Sequence, residues 1–376
     1  MTQTATFGVV GGYGSTGRVV VSELHKCCSG EILIGGRDLG KANVLAGQFG
    51  SRVSAARIDV LDSRALDDFC SQCSIVVNCG GPVMALQDRV AQAAFRKHCH
   101  YVDAAGLLVV KERMLPHGRE IADLGLSFVI SAGLLPGISE ILPIYAYAQA
   151  KAKAKMDVIE SLSIYYGDTG EWSRNAFREI AWLMRERRRG GPGHMAPGYF
   201  RKGVWVKLSM LTSHTADLGG RIGQRRFFPG FIPEMSELSF RFADCDLFSY
   251  GCVPGLRMMT AATLVSMLPL PEDLGARLLR DAFHKNRLPV GGFVVVKVVG
   301  LSDARKLAFT VQMVYEEDRG YWLNGLVAAT VARLISNRKG VQAGVHFLPD
   351  AVDSMSFTAE LQKSGVELTE TLEPHA

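Results

Sequence analysis

The stretch Gly12-Tyr13-Gly14-Ser15-Thr16-Gly17 decides the fold. The apolar run Phe7–Val10 comes directly before it, and the helix-compatible stretch Arg18–Leu24 directly after. Strand, glycine turn and helix with the spacing Gly-x-Gly-x-x-Gly form a dinucleotide-binding pattern in which each glycine has its own task. Gly12 allows the tight turn, Gly14 removes a side chain that would hold a pyrophosphate off the backbone, and Gly17 lets the helix pack close to the strand. The unpaired N–H groups of the first helical turn then face the phosphates, which puts Tyr13, Ser15 and Thr16 among the expected cofactor contacts. A glycine turn that binds nothing is the plainer reading. The flanking strand and helix, and a second strand at the expected distance, favour the nucleotide.

That second strand is Glu31–Arg37, and its end selects the cofactor. An acidic residue there would bond the adenosine ribose hydroxyls and select NAD. The chain instead has Gly35, Gly36 and Arg37, with Lys41 one helical turn on. Small residues leave room for a 2′-phosphate, and a guanidinium can grip it with two hydrogen bonds. Such a bond contributes roughly 1.5–3 kcal/mol, enough for a ten- to hundredfold preference. NADP is therefore predicted, against the alternative that Arg37 is a solvated residue opening a helix.

Further strands are expected at Ala55–Val60, Ser74–Asn78, His100–Asp103 and Leu126–Ile130. With helices between them, such as Leu86–Arg96, they make an α/β doubly wound parallel sheet, a Rossmann fold, with ligands outside the carboxyl ends of the strands. Asp59 and Val60 then stand near the adenine edge, although Asp59 reads equally well as a turn or cap residue. Asn78, Cys79, Gly80, Gly81 and Pro82 form a small-residue end where backbone can approach the nicotinamide ribose.

At 376 residues, two domains are expected: 1–135, completed by 320–376, and an α+β domain with a mixed or antiparallel sheet over 136–319. A hydrophobic content of 48% with 21% charged residues describes a soluble protein. The net charge of +5 suits an anionic cofactor and falls far short of a nucleic-acid-binding field. No signal peptide is visible, and the best apolar stretch, Phe128–Ala148, is broken by Pro136, Glu140 and Pro143, so a cytoplasmic protein off the membrane is expected. The eight cysteines are scattered, and Cys70-Ser-Gln-Cys73 lacks the second pair a zinc site needs; reduced thiols and no metal are expected.

The order of these motifs carries a resemblance. Gly11–Gly17, Ile34–Arg37, Ile58–Val60, Val76–Pro82, His100–Asp103 and Ala132–Gly137 follow one another as in the saccharopine dehydrogenase-like reductases. The likeness is clearest over residues 5–140 and returns at Tyr321-Trp322 and Gly344–Pro349. It implies an NADP-binding Rossmann domain built from both ends of the chain. A middle domain would carry substrate contacts and often a dimer interface, so a homodimer is expected. The family's reductases typically reduce a C=N bond. Many carry Gly-x-Asp-Pro-Gly before the second domain, whose Asp helps hold an amino-acid substrate; Leu135 stands there instead, which speaks against saccharopine itself. Within the group the chain is similar to the stand-alone thiazolinyl imine reductases of pyochelin-type (enantio-pyochelin) siderophore assembly. These reduce a thiazoline to a thiazolidine on a peptidyl carrier protein.

The middle of the chain opens with a β-rich run, Asp157–Tyr166, and a polar turn, Gly167–Trp172. Tyr166, Trp172 and Arg174 are the candidate substrate contacts. Ser173 caps a helix, Arg174–Arg189, ending in Arg185-Glu-Arg-Arg-Arg189: a solvated helix end, or a docking patch for an acidic carrier. Gly190–Gly198 reads as a loop, Leu288–Leu301 and Leu307–Tyr315 as antiparallel neighbours, and Asn324–Ile335 as a small-residue helix. Met258, Met259 and Met267 read as core, and the polar tail from Thr358 as a fraying end.

Reducing C=N requires a hydride on carbon and a proton on nitrogen. Strand five ends beside the expected nicotinamide site, so Tyr101 is the candidate donor or orienter and Asp103 its partner. A packed tyrosine is the bland alternative. His98 and His100 stand close by and read as structural. Tyr147-Ala-Gln-Ala-Lys151 has the Tyr-x-x-x-Lys spacing of short-chain carbonyl reductases, without a serine about a dozen residues upstream. A non-catalytic NADP-binding regulator is the rival of a different class.

Overall fold

The computed structural model describes residues 5–170, 172–186, 196–209, 212–252, 255–284, 291–316 and 319–375. The first six strands are β1 (Phe7–Val10), β2 (Ile32–Gly36), β3 (Val53–Arg57), β4 (Ile75–Asn78), β5 (His100–Asp103) and β6 (Ser127–Ile130). Then come β7 (Val158–Asp168), β8 (Gly198–Arg201), β9 (Val204–Lys207), β10 (His214–Asp217), β11 (Gln224–Pro229) and β12 (Asp246–Cys252). The last four are β13 (Gly292–Ser302), β14 (Arg305–Tyr315), β15 (Gly344–Phe347) and β16 (Thr369–Pro374). The chain divides into two compact units, Met1–Ile138 with Tyr321–Leu361, and Ser139–Gly320 with Gln362–Ala376.

The first unit holds a parallel sheet in the order β15-β6-β5-β4-β1-β2-β3. Strands β1, β2 and β4 are buried along their whole length, so their near-continuous apolar runs are what a sheet covered on both faces demands. Strand order reverses between β1 and β4. The crevice beyond their carboxyl ends is the switch point where such folds bind ligands. The expected doubly wound α/β sheet is borne out. Strand β3, however, starts two residues earlier and ends three residues earlier than the sequence predicts. Gly36 pairs with Arg57, Ile58 N–H then donates to Gly36 O at 3.0 Å, and Asp59 and Val60 lie in the turn that follows.

The second unit holds a mixed sheet in the order β10-β11-β12-β7-β13-β14-β16, with β8 on β12 and β9 on β8. β12 and β7 run parallel; the other pairs are antiparallel. Helices Arg174–Glu186, Gly255–Met267 and Glu272–His284 share a core of Phe177, Ala181, Met258, Val265, Leu279 and Phe283. Met258 belongs to that core as expected. Met267 is 69% exposed, because the helix turns Val265 inward and Met267, two residues on, outward. The polar tail is a correction too. Thr369–Pro374 is strand β16, paired along β14 from Leu307 to Gln312, and Glu370 accepts from Tyr145 Oη at 2.7 Å and pairs with Lys153 at 2.5 Å. This pairing places Gln362–Ala376 in the second unit, whereas the sequence assigned the whole 320–376 segment to the first.

Candidate functional site

The glycine turn is tighter than its spacing implies. Gly11, not Gly12, has the left-handed backbone, with φ +72°, and so makes the turn. Gly12 is constrained by contact instead: a Cβ there would lie 2.9 Å from Ile34 Cγ2 and 3.0 Å from Val9 O. A Cβ on Gly17 would collide with Gly11 O and sit 2.6 Å from Gly12 Cα, so Gly17 sets the approach of helix Ser15–Cys27 to the turn, as expected. Gly14 stands at that helix's N-cap, where no side chain caps the first turn and no acidic residue opposes an anion. An uncapped helix start with bare backbone fits a pyrophosphate.

At the end of β2 the small residues do a second job. A Cβ on Gly35 would meet Ile58 Cδ1 at 2.6 Å, and one on Gly36 would collide with the Tyr13 ring. Tyr13 therefore lies over Gly36, and its hydroxyl accepts from Asp38 N–H at 3.2 Å. Arg37 is exposed and has no hydrogen-bond or ion-pair partner among the described residues. Lys41 is exposed and pairs with Asp38 at 3.6 Å. A free guanidinium beside the strand end fits a 2′-phosphate. Asp59 serves its own turn, accepting from Leu61 N–H at 3.0 Å.

At the ends of β4 and β5 the structure brings three candidates together. Asn78 Nδ2 donates to Tyr101 Oη at 3.3 Å and to Asp103 Oδ2 at 3.1 Å, while its Oδ1 accepts from Gly80 N–H at 3.0 Å. Tyr101 donates its hydroxyl proton to Asp103 Oδ2, and Asp103 Oδ1 accepts from Ala105 N–H at 3.0 Å. Tyr101 is 0% exposed. Burial pushes the Tyr101 phenol and the Asp103 carboxyl up, so the proton stays on the phenol. The side chains thus act on the loop Cys79-Gly80-Gly81-Pro82 by fixing Asn78 and the Gly80 N–H. His100 is structural as expected, its Nδ1 accepting from Ser127 N–H at 3.0 Å.

Asn324 was missed in the sequence. Its Oδ1 accepts from Leu134 N–H at 2.8 Å and its Nδ2 donates to Thr16 Oγ1 at 3.2 Å. It lies in helix Arg319–Ser336, where the surrounding small residues read as packing and gave no signal of a polar task.

In the second unit Tyr166 is half-buried on β7, its hydroxyl facing Gly251, where a Cβ would lie 3.2 Å from it. Trp172 stacks on Phe283 with centroids 4.6 Å apart, and exposed Arg174 pairs with Asp273 at 3.6 Å. The helix cluster therefore uses both of these candidate substrate contacts. The unassigned group of the turn is Asp168. It accepts from Gly170 N–H at 2.6 Å, from Tyr315 Oη at 3.1 Å and from Trp172, and burial pushes its carboxyl up. Lys151 Nζ sits 4.7 Å from the Tyr147 ring centroid, but the Tyr147 hydroxyl donates to Asp244 at 2.8 Å, and burial with that carboxylate raises it. A phenol activated for carbonyl reduction would be lowered. Of the basic run, Arg187 to Arg189 lie outside the described residues, as does most of the loop from Gly190. Cys73 and Cys99 are pushed up to about 12 and about 11 by burial, which suits inert thiols. No group of His, Cys, Asp and Glu able to hold a metal lies among the described residues. No helix there is long and apolar enough to cross a membrane.

Residues 7–129 match the family model of the saccharopine dehydrogenase NADP binding domain. The first unit is therefore an NADP(H)-binding domain, and the match supports an NADP-dependent oxidoreductase. The apo saccharopine dehydrogenase (L-Glu forming) of Saccharomyces cerevisiae superposes with a TM-score of 0.70 at 14% identity, over 98% of this chain and 100% of that one. At that identity the likeness shows the fold. A dehydrogenase of Clostridium difficile aligns over 96% of this chain and 99% of its own, at 7% identity and a TM-score of 0.44. No curated protein matches the chain.

Proposed function

We propose that the chain is an NADPH-dependent reductase of a C=N bond that converts a thiazoline to a thiazolidine on a carrier-bound siderophore intermediate. The observation that carries the substrate choice is Leu135. It is 38% exposed at the position where related reductases often place an Asp that holds a free amino acid. An exposed apolar side chain favours an apolar ring over a zwitterion. A cytoplasmic homodimer, acting on a small imine tethered to a peptidyl carrier protein, belongs to the same reading.

When bound, the reduced nicotinamide supplies the hydride. The chain's residues bind and orient. The uncapped turn at Ser15 takes the pyrophosphate, Arg37 the 2′-phosphate, and Asn78 holds the Gly80 N–H. Tyr101 and Asp103 act as orienters of Asn78, since a phenol with no exposed surface cannot reach a substrate nitrogen. An iminium that arrives protonated needs no protein acid.

The test is steady-state oxidation of NADPH with a 2-aryl-thiazoline thioester and with a simple ketone, and reduction of NADP+ with saccharopine. Turnover with the thiazoline alone is expected. Turnover of saccharopine would replace this reading with amino-acid imine chemistry. Turnover of the ketone would point to carbonyl reduction, and binding without turnover to a regulator.

A further inference from the structure

Asn324 is wedged against the start of the helix that follows the glycine turn. Gly325 beside it approaches so closely that a Cβ would lie 2.6 Å from Val19 Cβ and 2.8 Å from Thr16 O. Gly133 leaves room for the Asn324 amide, since a Cβ there would collide with Oδ1. The amide's orientation is fixed chemically. Leu134 N–H can only donate, so the atom facing it is Oδ1. The opposite end is then Nδ2, a donor, and Thr16 Oγ1 must accept from it.

Thr16 is 9% exposed, and a hydroxyl that has accepted still carries one hydrogen to give. The Thr16 hydroxyl accepts from Asn324 and donates to none of the described residues. A buried donor without a partner costs stability, and such groups are rare in folded proteins. The hydroxyl belongs to the first turn of the uncapped helix Ser15–Cys27, where an anion is expected. We propose that Asn324 is a positioning residue that commits the Thr16 hydroxyl to donate to the pyrophosphate of NADP(H). The inference rests on cofactor binding by the first unit and is independent of the substrate.

The test is fluorescence titration of the full chain with NADPH, NADH and 2′-AMP, which lacks the pyrophosphate. Thr16→Val removes the hydroxyl at nearly constant shape. It is expected to weaken NADPH and NADH equally, by about tenfold, the worth of one charge-assisted hydrogen bond. 2′-AMP binding should not change, and Thr16→Ser should restore the affinity. Asn324→Asp presents an acceptor to Thr16 and draws its hydrogen away from the phosphate. It should weaken NADPH by about tenfold in the wild-type background and by less than about threefold in Thr16→Val. A plain charge repulsion would act equally in both. Wild-type affinity in Thr16→Val, or multiplying effects of the two substitutions, overturns the proposal. If Asn324→Asp fails to fold, Asn324→Ala keeps the test: it frees the Thr16 hydroxyl from its fixed donor role and should weaken NADPH binding in the wild-type background but not in Thr16→Val.

Discussion

Asn78 and Asp103 stand directly opposite each other on the parallel strands β4 and β5, and Asn78 Nδ2 donates to Asp103 Oδ2 at 3.1 Å. The bond ties two strand ends into one unit and, through Asn78 Oδ1, orients the Gly80 N–H. The candidate catalytic pair of the sequence, Tyr101 and Asp103, is joined to the Cys79–Pro82 loop by this amide.

Tyr101→Phe removes the hydroxyl and leaves Asp103 buried with one donor fewer. The expected cost is roughly 1–3 kcal/mol of unfolding free energy, read by chemical denaturation. NADPH affinity should fall as Gly80 loosens. A fall in kcat alone, with a shifted pH profile, would instead make the phenol a direct proton donor.

Arg37→Ala should lower NADPH affinity by about ten- to hundredfold and leave NADH unchanged, because the exposed guanidinium has no partner to lose among the described residues. Equal losses for both nucleotides would remove Arg37 from the 2′-phosphate site.

Gly36→Ala should displace the Tyr13 ring and cost about 1–3 kcal/mol, the range of core overpacking. In a Tyr13→Ala background most of that cost should vanish. Undiminished destabilisation there would mean that the ring is not what Gly36 accommodates.

Asp168 gives a pH dependence. Burial raises its carboxyl above the ordinary value of 3.8, so the folded state prefers the neutral form. The resulting stabilisation is complete below that value and is lost as pH rises through the folded-state pKa. Asp168→Asn should flatten this part of the melting-temperature curve against pH. A curve parallel to the wild type would mean that the carboxyl is not strained by burial.

The nucleotide half is legible because its strands are continuous apolar runs that stop at glycine turns. The boundaries Phe7–Val10 and His100–Asp103 are the observed ones. Gly11 is misjudged because the spacing identifies three glycines without saying which backbone turns left-handed. Strands β8 to β11 escape notice because they are short and several residues in them are exposed, so their pattern carries little signal. β16 is mostly polar and exposed, without an alternating apolar face, and only its pairing with β14 makes it a strand. Asn324 bonds to Thr16 from 308 positions away, a relation no local pattern contains.

The most direct measurement is single-turnover reaction with NADPH deuterated on the transferable position, the full-length enzyme and a carrier-bound thiazoline. One deuterium is expected on the former C=N carbon and an exchangeable hydrogen on nitrogen. Stoichiometric binding of the labelled NADPH, with the thiazoline recovered unlabelled and unreduced, would contradict this expectation.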